Sequence, residues 1–194
     1  MGSHMSVLYN NKYRIESARL KNWNYGWKAP YFITICTQDR KCFFGNIADG
    51  KMRLSQIGVI ADICWYEIKN QTKNVELGEF GVMPNHVHGI LILNGDGDRD
   101  VVEAVHATPL RPPSHQPKNE QMAKISPKSN SVSTIIRSYK SAVTKHAHRL
   151  GFDFAWQTRF YDHIIRDEKS FSNISKYIFN NPRNWPADKF SGNS

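Results

Sequence analysis

A chain of 194 residues with 40% hydrophobic content is long enough for one packed domain, or for one domain carrying an insertion. No apolar run approaches the roughly 20 residues a membrane helix needs and no signal-peptide pattern is visible, so the expectation is a cytoplasmic protein with no membrane partner. A net charge of +9 favours a polyanionic partner, most simply nucleic acid, and three cysteines without a C-x-x-C argue against a disulfide framework or a thiolate zinc site.

In chain order, residues 1–5 read Met-Gly-Ser-His-Met, an expression-tag scar that carries no argument. Residues 6–30 make a polar N-terminal arm in which Arg14, Arg19 and Lys21 alternate loosely with Tyr13, Trp23, Tyr25 and Trp27. Cations suit phosphates and rings suit bases, so the arm fits single-stranded nucleic acid; docking of the rings on the core is the alternative. "YFITICTQ", 31–38, is β-branched and aromatic, hence a strand, and a turn-like segment around Gly45 and Gly50 follows. In 53–71, Ile57, Ile60, Ala61, Cys64, Trp65 and Ile68 keep helical spacing, with Ser55 near the N-cap. Cys36, Cys42 and Cys64 read as packing residues. Segments 75–83 and 86–93 are strands joined by Pro84-Asn85 into a hairpin.

Residues 95–130 hold five of the nine prolines and no Phe, Trp or Tyr, which predicts a flexible insertion. A helix over 131–150 ends at Gly151, with Val132, Ile135, Ile136, Tyr139, Val143 and Leu150 as its buried stripe. Its opposite face, with Arg137, Lys140, Thr144, Lys145 and His148, is either solvated or a phosphate track. A fourth strand over 159–166 precedes a final helix, capped by Asp167 and ending before Pro182. The order β-α-β-β-α-β-α predicts an α+β fold over a single domain, 31–190. It is a ferredoxin-like (split βαβ) four-stranded antiparallel sheet with two helices plus an added C-terminal helix.

The chemistry concentrates in "GVMPNHVHGILIL". Strand alternation puts His86 and His88 on one face, about 6.5–7 Å apart along the backbone. Two imidazoles so placed can converge on one cation, although two ordinary hydrogen-bonded histidines have the same pattern. In the final helix Tyr177 and Asn181 are i, i+4, beside an apolar stripe of Phe171, Ile174 and Ile178. A phenol with pKa near 10 is a weak nucleophile, which a nearby cation activates.

The blocks "PYFITICTQDRKCFFG", "GVMPNHVHGILIL", "WQTRFYDHIIRDE" and "YIFNNPRNW" together resemble the single-tyrosine HUH transposases of the IS200/IS605 type, most closely their REP-associated tyrosine transposase branch. The resemblance implies metal-dependent cleavage and rejoining of single-stranded DNA near hairpins, through a 5′-phosphotyrosine on Tyr177. It implies His86 and His88 as ligands of Mg²⁺ or Mn²⁺, with Asn181 as third ligand where the insertion-sequence enzymes usually carry Gln, and Asn180 as its rival. It implies no nucleotide cofactor, and either a homodimer or a monomer. His163 is a neighbour for a general base or a structural hydrogen bond. Arg14, Arg19, Lys21, Arg137, Lys140 and Lys145 are the expected DNA contacts. Two other classes stay in view. One is a domesticated DNA-hairpin-binding protein without chemistry; the other is a zinc hydrolase, for which no H-E-x-x-H or P-C-x-x-C is present.

Overall fold

The computed structural model describes the backbone at 8–9 and 12–13, then residues 28–94, 131–187 and 191. The 95–130 segment and most of the N-terminal arm, including Arg14, Arg19 and Lys21, lie outside the described residues. Of that arm, β1 (Leu8–Tyr9) pairs antiparallel with β2 (Lys12–Tyr13). The domain proper is built on β3 (Ala29–Cys36), β6 (Val75–Met83), β7 (His86–Leu93) and β8 (Tyr161–Ile164), in the spatial order β6-β7-β3-β8 and antiparallel throughout. Counted along the chain these are strands 2-3-1-4, the split βαβ arrangement expected from the element order.

Helices α1 (Gln56–Tyr66) and α3 (Val132–Arg149) pack on one another under one face of this sheet, with the short α2 (Ile68–Gln71) beside them. The alternate residues Tyr31, Ile33 and Ile35 of β3 and Val87 and Leu91 of β7 meet them there, all fully buried. Trp65 of α1 lies flat against β7 because Gly89 has no side chain; a Cβ there would stand 2.2 Å from the indole ring. The Tyr139 hydroxyl of α3 donates to the Ala61 carbonyl of α1 at 3.0 Å, so this buried phenol is satisfied. The other face is covered by α4 (Glu168–Asn184), which packs chiefly over β6.

Several local expectations are corrected. The turn-like stretch near Gly45 and Gly50 is a second hairpin, β4 (Gly45–Ala48) and β5 (Lys51–Leu54). Its two-residue loop is Asp49-Gly50, both at positive φ (53° and 68°), the pair a tight hairpin requires. Arg53 and Leu54 therefore belong to a strand. The helix starts after Ser55, whose hydroxyl accepts from the Gly58 amide at 3.1 Å while donating to the Phe43 carbonyl at 2.6 Å. It also divides at Glu67 into α1 and α2.

In α3 the last inward position is Ala147, and Leu150, beyond the helix end, is 59% exposed. Strand β8 is half the expected length. Pro182 sits inside α4 rather than beyond it. It removes only the hydrogen bond to the Ile178 carbonyl, near the end of the helix, which runs on to Asn184. Cys36 and Cys64 are half-buried as expected, but Cys42 is exposed and packs against little.

Candidate active site

His86 and His88 lie on β7, a central strand with β3 and β6 on either side, and are 0% and 2% exposed. Alternation sends Val87 to the α1/α3 layer and both imidazoles to the α4 face. Their Nε2 atoms converge to 2.9 Å. Each ring is held from its other nitrogen. His86 Nδ1 faces Asn85 Oδ1 at 2.9 Å, and His88 Nδ1 faces Thr34 Oγ1 at 2.9 Å. An amide oxygen only accepts, so neutral His86 carries its proton on Nδ1 and presents an Nε2 lone pair inward. A second bare lone pair at 2.9 Å would repel it; the pair is stable with a proton between the nitrogens or with one cation bound to both. Phe32, a neighbour on β3, stacks on His88 with ring centroids 5.3 Å apart.

Helix α4 brings the phenol. Asp167 caps its first turn by accepting from the Ser170 amide at 2.8 Å. Ile178, 2% exposed, anchors the middle of the helix against Ile90 and Ile165. Gly81 of β6 is paired with His88, and a Cβ on it would reach within 3.2 Å of Ile178 Cγ2, so its bareness lets the helix lie close. Tyr177 stands next to this anchor. Its hydroxyl is 3.2 Å from His88 Nε2, while the residue is 40% exposed. The imidazoles are thus sealed and the phenol beside them is reachable.

Asn181, one turn further along, is 1% exposed on the same side of α4. Its rival Asn180 is half-buried and donates Nδ2 to the Lys176 carbonyl of its own helix at 2.9 Å. His163 is exposed on β8 and paired with Phe32. That register puts it on the imidazole face but outside the hydrogen-bonded cluster. Arg137 and Lys145 are exposed on α3. Lys140 is half-buried and its ammonium donates to the Gln157 carbonyl; burial pushes its pKa down.

Among the described residues no group of three or more His, Cys, Asp or Glu is placed to hold a metal. The donor set at hand is two imidazole Nε2 atoms and the amide of Asn181. Ligands at right angles on one ion are about 3 Å apart when metal–nitrogen bonds are about 2.1 Å. The 2.9 Å between the imidazoles fits that spacing. A set with no carboxylate or thiolate leaves an ion's charge for anionic oxygens of a substrate. These residues therefore suit a divalent ion that phosphate would complete.

Three members of this cluster escaped the sequence reading. Asn85, the residue before His86, reads in sequence only as part of a turn. Thr34 and Phe32 read only as strand formers, since nothing short of the β3–β7 register pairs Thr34 with His88.

No protein-family model matches the chain. An uncharacterized protein of Haemophilus influenzae is 35% identical over 189 residues, covering 95% of this chain and 98% of that protein. The chain belongs to one family with it. Among solved structures, a REP-associated tyrosine transposase bound to a REP hairpin is similar at TM-score 0.52 and 18% identity, over 86% of this chain and 73% of that one. The fold is that of a tyrosine transposase. A candidate transposase from Deinococcus radiodurans is 16% identical over 86% of this chain and 96% of that one, but its TM-score of 0.36 adds nothing to the assignment. No described helix of the chain is long and apolar enough to cross a membrane.

Proposed function

We propose that this protein cuts and rejoins single-stranded DNA beside hairpins, with Tyr177 as nucleophile and a divalent ion, Mg²⁺ or Mn²⁺, held by His86, His88 and Asn181. The observation that carries this reading is the placement of the Tyr177 hydroxyl 3.2 Å from His88 Nε2, itself 2.9 Å from His86 Nε2, within a single chain. A binding protein has no need to place a reachable phenol against two buried imidazoles. The neighbouring solved structure holds a REP hairpin, which supports hairpin DNA as the substrate class.

In the proposed reaction the Tyr177 oxygen attacks the scissile phosphorus, the bond from phosphorus to the 3′ oxygen breaks, and a 5′-phosphotyrosine forms. The phenol proton is lost to solvent and the departing 3′ oxygen takes one up. Attack by a 3′-hydroxyl on the phosphotyrosine reverses these steps and rejoins the strand, so the phosphodiester's energy is conserved without a nucleotide cofactor. A bound divalent ion would polarise a phosphate oxygen and favour the phenolate. Asn85 and Thr34 hold the two imidazoles in the orientation that binding requires. Phe32 closes one side of His88 to water. Arg137 and Lys145, exposed on α3, would contact the backbone of the DNA away from the site.

The test uses a labelled single strand carrying a hairpin, incubated with Mn²⁺ or Mg²⁺. Wild type is expected to form a covalent protein–DNA adduct and Tyr177→Phe none, with hairpin affinity kept. Identical products from both proteins would remove Tyr177 from the mechanism. Equal hairpin binding with no adduct from either would favour a domesticated DNA-hairpin-binding protein.

A further inference from the structure

Among the described residues, helix α4 covers the β6 side of the imidazole face, while Tyr161 and His163 at the β8 edge of that face are exposed. Tyr161, the first residue of β8, is paired with Thr34, the residue that holds His88. It therefore projects on the imidazole face and is 51% exposed. Its ring meets Phe32 edge-on, with centroids 6.4 Å apart, and Phe32 meets Tyr177 edge-on at 6.2 Å. Phe32 thus links the exposed ring of Tyr161 to the ring of Tyr177. His163 lies two residues further along the same face, and Arg159 and Arg166 are exposed at the two ends of the strand.

We propose that Tyr161 is a stacking platform for one unpaired nucleobase of the substrate strand, next to the phosphate that Tyr177 attacks. The occupant is set by the chemistry around the ring. A lone exposed aromatic on an edge strand gives too little apolar area for a protein partner. Exposed cations on either side suit the phosphates of a strand whose base lies on the ring. Phe32 fixes the tilt of Tyr161 from below and so prepares one flat surface at low entropic cost. Stacking tolerates any base, because each has a π-face, so the platform would hold the strand in place at the nucleophile and leave sequence choice to other contacts.

This inference rests on single-stranded DNA being the substrate, and the test separates the two. The protein is titrated into a DNA hairpin with a single-stranded flank carrying one 2-aminopurine, and into the same strand with an abasic site at that position. Wild type is expected to quench 2-aminopurine fluorescence and to bind the abasic strand about tenfold more weakly. Tyr161→Ala is expected to lose the quenching and to bind both strands alike, at the weaker affinity. Tyr161→Phe keeps the ring and is expected to behave as wild type. If Tyr161→Ala binds and quenches as wild type does, the platform is wrong while the DNA reading stands. If wild type binds neither hairpin-bearing strand, both fall.

Discussion

The two faces of the central sheet are made by alternate residues of the same strands, and they do different work. On the α1/α3 face Tyr31, Ile33, Ile35, Val87 and Leu91 are fully buried against Trp65 and Tyr139. On the α4 face Phe32, Thr34, His86 and His88 replace that apolar packing with hydrogen bonds and ring contacts. Period-two alternation lets one strand contribute to stability with every second residue and to the site with the others. Each glycine on β6 or β7 can then be assigned by the face it opens. Gly89 admits the Trp65 ring of the packed face, and Gly81 admits the helix that carries Tyr177.

This contrast breaks most visibly at Gly89. In Gly89→Ala the new methyl would stand 2.2 Å from Cζ2 and 2.6 Å from Cη2 of Trp65, so the indole must leave its place on the sheet. Overpacking of this kind costs about 1–3 kcal/mol and occasionally more, and here it displaces the largest buried side chain, so a loss at or above about 3 kcal/mol is expected. The measurement is chemical denaturation of Gly89→Ala beside Gly81→Ala. The Gly81 methyl meets Cγ2 of Ile178 at 3.2 Å and the Ile178 carbonyl oxygen at 3.6 Å, contacts that a shift of the helix by a few tenths of an ångström relieves, so its expected loss is smaller, about 1 kcal/mol. Equal losses at the two positions would mean the faces are not divided as described.

Thr34→Val probes the other side of the contrast. Valine keeps the shape and the β-branch, so the strand is retained, but His88 Nδ1 loses its partner. Removing an orienting partner of a metal-binding imidazole typically lowers metal affinity about 10–100-fold. Titration of Mn²⁺ by electron paramagnetic resonance, without DNA, is expected to show a loss in that range with a melting temperature close to wild type. Unchanged Mn²⁺ affinity would leave Thr34 a packing residue only.

How much of this was legible without coordinates follows the same division. The strands at 75–83 and 86–93 and the inward stripe of α3 up to Val143 were readable, because local spacing alone determines them. The Asp49-Gly50 hairpin was also written in the chain and was passed over as a turn. His86, His88, Tyr177 and Asn181 stood out as a set, through strand and helix spacing taken together with the family resemblance of the blocks that carry them. Their partners did not. Thr34 is an ordinary strand residue until β3 is registered against β7, 54 positions away. Tyr161 is an ordinary exposed tyrosine until β8 takes the edge beside Phe32. The helix end at Pro182 was misplaced for a related reason: the docking of α4 on β6 extends the helix past a residue that intrinsic propensity would stop.

The smallest expected effect lies at the start of the helix that carries the phenol. Asp167 accepts from the Ser170 amide at 2.8 Å and from the Ser170 hydroxyl at 2.7 Å. The backbone hydrogen bond from Ser170, then its hydroxyl, lowers the Asp167 pKa below the ordinary 3.8. A carboxyl whose folded pKa is depressed contributes stability above its unfolded pKa and loses it as pH falls through the folded value. Asp167→Asn keeps a cap of similar shape on Oδ1, but it removes the charge and replaces the oxygen that accepts from the Ser170 hydroxyl with an amide donor. The melting temperature of wild type should therefore exceed that of the variant by a small, constant margin above about pH 5, and the margin should close below about pH 4. A margin that is the same at pH 3 and pH 7 would show that the carboxylate's charge contributes nothing to seating α4. Tyr177 would then be held over His88 by the apolar packing of Phe171, Ile174 and Ile178 and not by the charge of the cap.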